Sequence, residues 1–201
     1  MRGEFYGALD AGGLKTGQGR YVYPNRYFAY DGQFVRDLKD GFGQLRTADG
    51  HGYAGSFAAG EITGQGTLRL ATGLSYAGGF LRGERHGQGE LRTPALAYAG
   101  GFAHGRFEGT GRLERFGEGR VYSGEFSAGL PHGECEVRDA AGELLYRGRM
   151  SRGLRHGPGT AVLGRWLLSA EFAEDAPGEE VLLDYGEPAT LTPTDIVSMW
   201  R

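Results

Sequence analysis

The sequence predicts an all-β fold, an elongated single-layer antiparallel sheet built from stacked hairpins. Three observations carry this. Glycine reaches 39 of 201 residues with only 7 prolines, which is neither collagen-like nor Pro-rich low complexity. Aromatic residues make up 12% of the chain, too many for disorder. A pattern of Tyr, Gly and Phe also returns at near-constant intervals, and a fixed period of this size marks a repeat architecture.

The Tyr column is Tyr30, Tyr53, Tyr76, Tyr98, Tyr122 and Tyr146, in steps of 23, 23, 22, 24 and 24 residues. Two places on stand Gly32, Gly55, Gly78, Gly100, Gly124 and Gly148, and two further Phe34, Phe57, Phe80, Phe102, Phe126 and Met150. The second half of each unit carries Gly41, Gly64, Gly87, Gly109, Gly133 or Gly157, then Gly43, Gly66, Gly89, Gly111, Cys135 or Gly159, then Leu45, Leu68, Leu91, Leu113, Val137 or Ala161. Marked positions lie two apart, so in strands they share a face, with polar residues such as Asp31, Gln44 and Arg46 on the other. Each unit therefore reads as a hairpin with one apolar face.

A loop of about six residues is expected to close each hairpin, with Gly60, Gly83, Gly105, Gly129 and Gly153 supplying positive φ and Asp37 standing in the first full unit. Glycine inside a strand costs conformational entropy, and its recurrence in these columns is read as room for an aromatic ring to lie over bare backbone. About sixteen strands at ~4.8 Å predict a body on the order of 70–80 Å long, twisted into a gutter with the aromatic face inside.

The end units are eroded. Phe5, Gly7 and Leu9, with Gly17, Gly19 and Tyr21, form a divergent first unit with one inserted residue. Leu168, Ala170 and Phe172 form a final half-unit. Such atypical ends suit the caps of a stack. The expected organisation is an array over residues 1–172, with six clear repeats from 30 to about 165, and an acidic segment over 173–201. In that segment Thr192-Pro193-Thr194-Asp195 reads as a helix start, with Ile196, Met199 and Trp200 on one side of a short capping helix.

Charge divides unevenly. Residues 166–201 hold eight acids and one base, a net of −7; the remaining 21 bases and 17 acids leave residues 1–165 at +4. That body is too weakly basic for nucleic acid. Cys135 is the single cysteine, so no intrachain disulfide forms. The first residues lack the apolar stretch of a signal peptide, and no run approaches the ~20 apolar residues of a spanning helix. The chain reads as cytosolic.

The unit resembles the MORN repeat (membrane occupation and recognition nexus) over roughly residues 5–172, including the His-Gly pairs His86-Gly87, His132-Gly133 and His156-Gly157. Tyr21-Val22-Tyr23-Pro24-Asn25 followed by Tyr30-Asp31-Gly32 is similar to the opening of MORN proteins of cilia and cytoskeleton. The resemblance implies scaffolds that hold extended peptides or helices of cytoskeletal and motor proteins, sometimes near membranes, and sometimes beside a separate catalytic domain.

No motif for catalysis stands out. Gly64-Gln65-Gly66 and its like open no helix and lead to no Gly-Lys-Ser/Thr, so they are not phosphate loops. His86, His132 and His156 fall two units and one unit apart and read as loop-capping residues rather than metal ligands, and Cys135 as a small apolar filler. The expected function is a non-catalytic protein-binding scaffold, monomeric or homodimeric and without a cofactor. Its expected anchors are Tyr53, Phe57, Tyr76, Phe80, Tyr98, Phe102, Tyr122 and Phe126, with hydroxyls such as those of Tyr76 and Tyr98 at the groove surface. A second expectation is weak contact with acidic lipid headgroups, phosphoinositides included, through Arg46, Arg69 and Arg92, a ladder on the outer face. A third is the regulatory repeat portion of a larger enzyme.

Overall fold

The computed structural model describes residues 3–184. The expected helix with Ile196, Met199 and Trp200 lies outside the described residues. The strands are β1 (Glu4–Leu9), β2 (Lys15–Val22), β3 (Phe28–Val35), β4 (Leu38–Thr47), β5 (Gly52–Ala58), β6 (Glu61–Arg69), β7 (Ser75–Leu81) and β8 (Glu84–Arg92), then β9 (Leu96–Ala103), β10 (Arg106–Arg115), β11 (Arg120–Ser127), β12 (Leu130–Asp139), β13 (Leu144–Ser151), β14 (Leu154–Leu163), β15 (Trp166–Ala173) and β16 (Ala176–Asp184). Among the described residues they form one antiparallel 16-stranded sheet in sequence order, open at both edges. Short links between strands, with no helix among the described residues, leave nearest-neighbour pairing as the available topology.

The register repeats with the sequence. Leu45 lies opposite Tyr30 in one neighbour and Tyr53 in the other, and Leu68, Leu91 and Leu113 bridge the next Tyr pairs in the same way. One face thus carries all the apolar columns. A single layer buries them because the rings cover one another: Tyr53 meets Phe57 and Phe80 edge-on, and Tyr76 meets Phe80 and Phe102, with centroids 5.1–5.3 Å apart. Such edge-to-face pairs add about 0.5–1.5 kcal/mol each beyond area burial.

The structure corrects the expected six-residue loops. From β3–β4 onward each hairpin closes through two residues only: Arg36-Asp37, Ala59-Gly60, Arg82-Gly83, His104-Gly105, Ala128-Gly129, Arg152-Gly153 and Glu174-Asp175. Both residues of each turn have positive φ, from 47° to 94°. That is a type I′ geometry, whose twist matches that of the strands it joins. Asp37 also earns its place by accepting from the Lys15 amide and pairing with the Lys15 ammonium at 2.7 Å.

The two glycine columns of each unit's second strand have different reasons, where one had been expected. Gly87 has a φ of 72° and open space around its missing side chain, and it sits at the bulge where the β7–β8 register shifts. Gly89 lies under a ring: a Cβ there would stand 2.4–2.7 Å from Tyr76 ring and hydroxyl atoms. The first column is needed for backbone shape, the second for space.

The final unit is also more complete than expected. β15 and β16 form a full hairpin, with Leu168 opposite Leu183, Ala170 opposite Val181 and Phe172 opposite Pro177. The array therefore runs to Asp184, and the first part of the expected acidic segment is strand. The acids Glu179, Glu180 and Asp184 obscured the alternation of Val181 and Leu183 between them.

Candidate functional site

The eight proposed anchors line one face but form its core. Tyr53, Phe57, Tyr76, Phe80, Tyr98, Phe102, Tyr122 and Phe126 are each between 1% and 8% exposed. The expectation that Tyr76 and Tyr98 show their hydroxyls at a groove surface is corrected. Each hydroxyl turns inward and donates to the backbone carbonyl three residues on, Tyr76 to Gly79 at 2.9 Å and Tyr98 to Gly101 at 3.1 Å. Tyr30, Tyr53 and Tyr146 do the same to Gln33, Ser56 and Arg149. Burial pushes the hydroxyls of Tyr30, Tyr53, Tyr98 and Tyr146 up to about 12.

Tyr122 departs from this pattern, and Cys135 is the cause. Cys135 occupies the glycine place opposite Gly124, and its thiol takes the equivalent carbonyl, that of Glu125, at 3.4 Å. The Tyr122 hydroxyl donates instead to Glu118 at 3.3 Å, whose carboxyl is held below its ordinary range by a 2.8 Å hydrogen bond from Arg115. Burial raises the Cys135 thiol. Tyr98→Phe is therefore expected to cost about 1 kcal/mol by stranding the buried Gly101 carbonyl. Tyr122→Phe should cost much less, because Glu118 retains Arg115. Thermal melts of the two variants check the difference; equal losses would contradict these assignments.

What lies over the rings is a column that the sequence reading missed. Nine places after each Tyr, and opposite each Phe or Met, come Lys39, Ile62, Arg85, Phe107, Pro131 and Arg155, with Lys15 and Pro177 at the ends. Their spacing is that of the Tyr column, so the period was available. Their chemistry varies, and only the packing shows that they share a task. The Lys39 ammonium sits 5.6 Å from the Tyr30 ring centre and 5.7 Å from that of Phe57. The Arg85 guanidinium covers Tyr76 and Phe102 at 5.9 and 5.8 Å. Phe107 stacks on Tyr98 at 3.8 Å with planes 12° apart. Arg155 lies 5.3 Å over Phe172. A cation on a ring face is favourable, and its alkyl stem covers apolar surface while its head stays wet.

The covering row is also the seam between repeats. Its carbonyls accept the turn amides of the next hairpin: Gly60 donates to Lys39, Gly83 to Ile62, Gly105 to Arg85, Gly129 to Phe107 and Gly153 to Pro131, at 2.8–3.0 Å. All of the row except Pro131 is half-buried, so it presents side chains to solvent on a backbone held from both sides.

Arg46, Arg69 and Arg92 are exposed on the opposite face. Arg69 borders two shallow clefts, one with Arg46 over Gly52 and Ala54, the other with Arg92 and Arg112 over Ser75, Ala77, Ala97 and Ala99. Arg92 also lies 5.2 Å over the Phe116 ring. His86, His132 and His156 stand inside β8, β12 and β14 beside the bulge glycines, not in loops, which corrects their reading as loop caps. Among the described residues no group of three or more His, Cys, Asp or Glu is placed to hold a metal ion. Nor is any helix there long and apolar enough to cross a membrane.

A family model described as MORN repeat matches residues 11–26, 30–52, 53–75, 76–94, 98–115, 122–142 and 146–163. No curated protein matches the chain.

Proposed function

This chain belongs to the MORN repeat family, and we propose that it is a non-catalytic scaffold that holds an extended or helical segment of a partner protein along its aromatic face. The observation that supports this best is the covering row. It offers Lys39, Ile62, Arg85, Phe107 and Arg155, with a gap at the buried Pro131, in steps of one hairpin, about 10 Å, on a backbone tied to the next repeat at every step. A partner segment with acidic and apolar side chains at matching intervals fits it. Contact falls mainly on the central units, Tyr53 to Phe126, where the buried rings Tyr53, Phe57, Tyr76, Phe80, Tyr98, Phe102, Tyr122 and Phe126 support the row from beneath. A cytoskeletal or ciliary filament or motor protein is the partner class we propose, with the scaffold in the cytoplasm.

A second reading rests on the other face. The clefts around Arg46, Arg69 and Arg92 have small-residue floors open to phosphate-bearing lipid headgroups. Capture experiments with the full chain separate the two. A stoichiometric partner from a cytoskeletal extract is expected to be lost on combining Lys39→Glu with Arg85→Glu and retained on combining Arg46→Glu, Arg69→Glu and Arg92→Glu. Cooperative melting of both variants, well above the temperature of the capture experiment, would confirm that they are folded. Loss with the triple variant alone, together with salt-sensitive flotation on anionic vesicles that the same variant abolishes, would move the site to the outer face.

A further inference from the structure

Among the described residues the sheet ends in two edges without a further strand, and the two match each other. β1 and β16 each have a single neighbour. An exposed edge presents unpaired N–H and C=O groups, and proteins commonly blunt it with Lys, Pro or a bulge. Glu4–Leu9 contains neither Lys nor Pro, and in β16 the Pro177 and the register shift that follows it lie before Val181, so that residues 181–184 are free of both. Between consecutive hairpins the register is constant: Leu45 faces Tyr53, Gln44 faces Ala54 and Gly43 faces Gly55. Within its own hairpin Leu183 holds the Leu45 place and Phe5 the Tyr place, as their partners Leu168 and Tyr21 show. Continuing the same register from β16 of one copy to β1 of the next sets Leu183 opposite Phe5, Leu182 opposite Tyr6 and Val181 opposite Gly7.

This juxtaposition accounts for two side chains that the single chain leaves exposed. Leu182 is 76% exposed and Tyr6 is 59% exposed, both on the face away from the aromatic columns. In the continued ladder they become a directly opposed pair, with Cβ atoms about 5 Å apart, where aromatic and aliphatic side chains stabilise a sheet. On the other face Leu183 and Phe5, both packed against the core cluster, reproduce the Leu–Tyr contact of the interior seams. Charge then chooses the ends. The β15–β16 hairpin carries Glu171, Glu174, Asp175, Glu179, Glu180 and Asp184 and no base. Two such ends repel each other, whereas the β1–β2 hairpin with the link that follows it carries Lys15, Arg20 and Arg26 beside Glu4 and Asp10, each base already in an ion pair, so that this end does not add to the negative charge. Asp184 falls opposite Glu4, which Arg26 already partners at 3.4 Å.

We propose that copies of this chain associate head to tail, β16 of one pairing antiparallel with β1 of the next. The contact is heterologous, so each join leaves a free β1 and a free β16, and association continues into filaments rather than stopping at a dimer. The join uses only the two ends of the sheet and not the covering row of the central units, so this assembly stands or falls separately from partner binding.

Sedimentation velocity of the full chain over a wide concentration range tests it. The average mass is expected to rise past that of a dimer as concentration increases. Tyr6→Lys blocks the head and Leu182→Lys the tail. Both positions are exposed, so each variant should melt like the wild type and stay monomeric alone. Mixed in equal amounts, one variant supplies an intact β16 and the other an intact β1, and the mass should stop at a dimer. A wild-type chain that remains at 21.6 kDa throughout overturns the proposal. So does a dimer that survives Tyr6→Lys but not Leu182→Lys, which is β16 pairing with itself. A mixture that stays monomeric while the wild type assembles overturns it as well.

Discussion

Gly78→Val is expected to destabilise the array by about 3 kcal/mol or more, at the upper end of overpacking penalties. A Cβ at this position would stand 2.5 Å from the Gly89 Cα, 2.6 Å from the Gln88 carbonyl oxygen and 2.6 Å from the Tyr76 hydroxyl. Two of these atoms are backbone in the paired strand and cannot turn aside without breaking the β7–β8 ladder. The effect should spread, because Tyr76 packs against both Phe80 and Phe102 and so belongs to two repeats. A control separates space from backbone shape. Gly87→Asn should be nearly tolerated, since φ is 72° with nothing near the side chain and Asn accepts left-handed geometry. Gly89→Asn should be as damaging as Gly78→Val, because Tyr76 occupies the space. Thermal melts of the three variants read this directly. An unchanged midpoint for Gly78→Val would refute the packing of rings over glycine.

Alkaline pH should unfold the array steeply. The hydroxyls of Tyr30, Tyr53, Tyr98 and Tyr146 are raised by burial from 10.0 to about 12. A pKa raised in the folded state means that the folded chain holds the proton more tightly. The stability linked to these groups is fully present below pH 10 and is lost as pH rises through 12. In that window the unfolded chain has released up to four more protons from these groups than the folded one, Tyr76 being raised by burial in the same direction, and stability falls with a slope set by that difference. Denaturant midpoints should be flat up to about pH 9 and drop sharply between pH 10 and 12, with tyrosinate absorbance appearing together with unfolding. Tyr30→Phe should make the drop shallower by one proton. Tyrosinate that forms well before unfolding would show that the rings ionise in the folded sheet and that burial does not hold them.

The hairpins, their number and the shared face of Tyr, Gly and Phe could be read from residue spacing. A period of two within the strand and of 22–24 between strand pairs follows from backbone geometry and needs no distant contact. The final hairpin was harder to see, because its alternating Val181 and Leu183 stand among acids. The two-residue turns were harder still. Arg36, Ala59, Arg82, His104, Ala128 and Arg152 all adopt positive φ, which none of these residue types announces. The twist of the paired strands imposes that geometry.

The sequence by itself determined the repeat, its strands and the side of the sheet on which the apolar columns fall. Only the tertiary structure decided what that side presents. Each ring is covered partly by the Phe of the next hairpin and partly by a residue such as Lys39, Arg85 or Phe107 from its own or a neighbouring hairpin. A lysine, an arginine, an isoleucine and a phenylalanine do the same covering work there, because an alkyl stem, a cation and a ring edge can each lie on a ring face. Periodicity detects a column of like residues. A column of unlike residues united by what they cover becomes visible only when the strands are laid side by side.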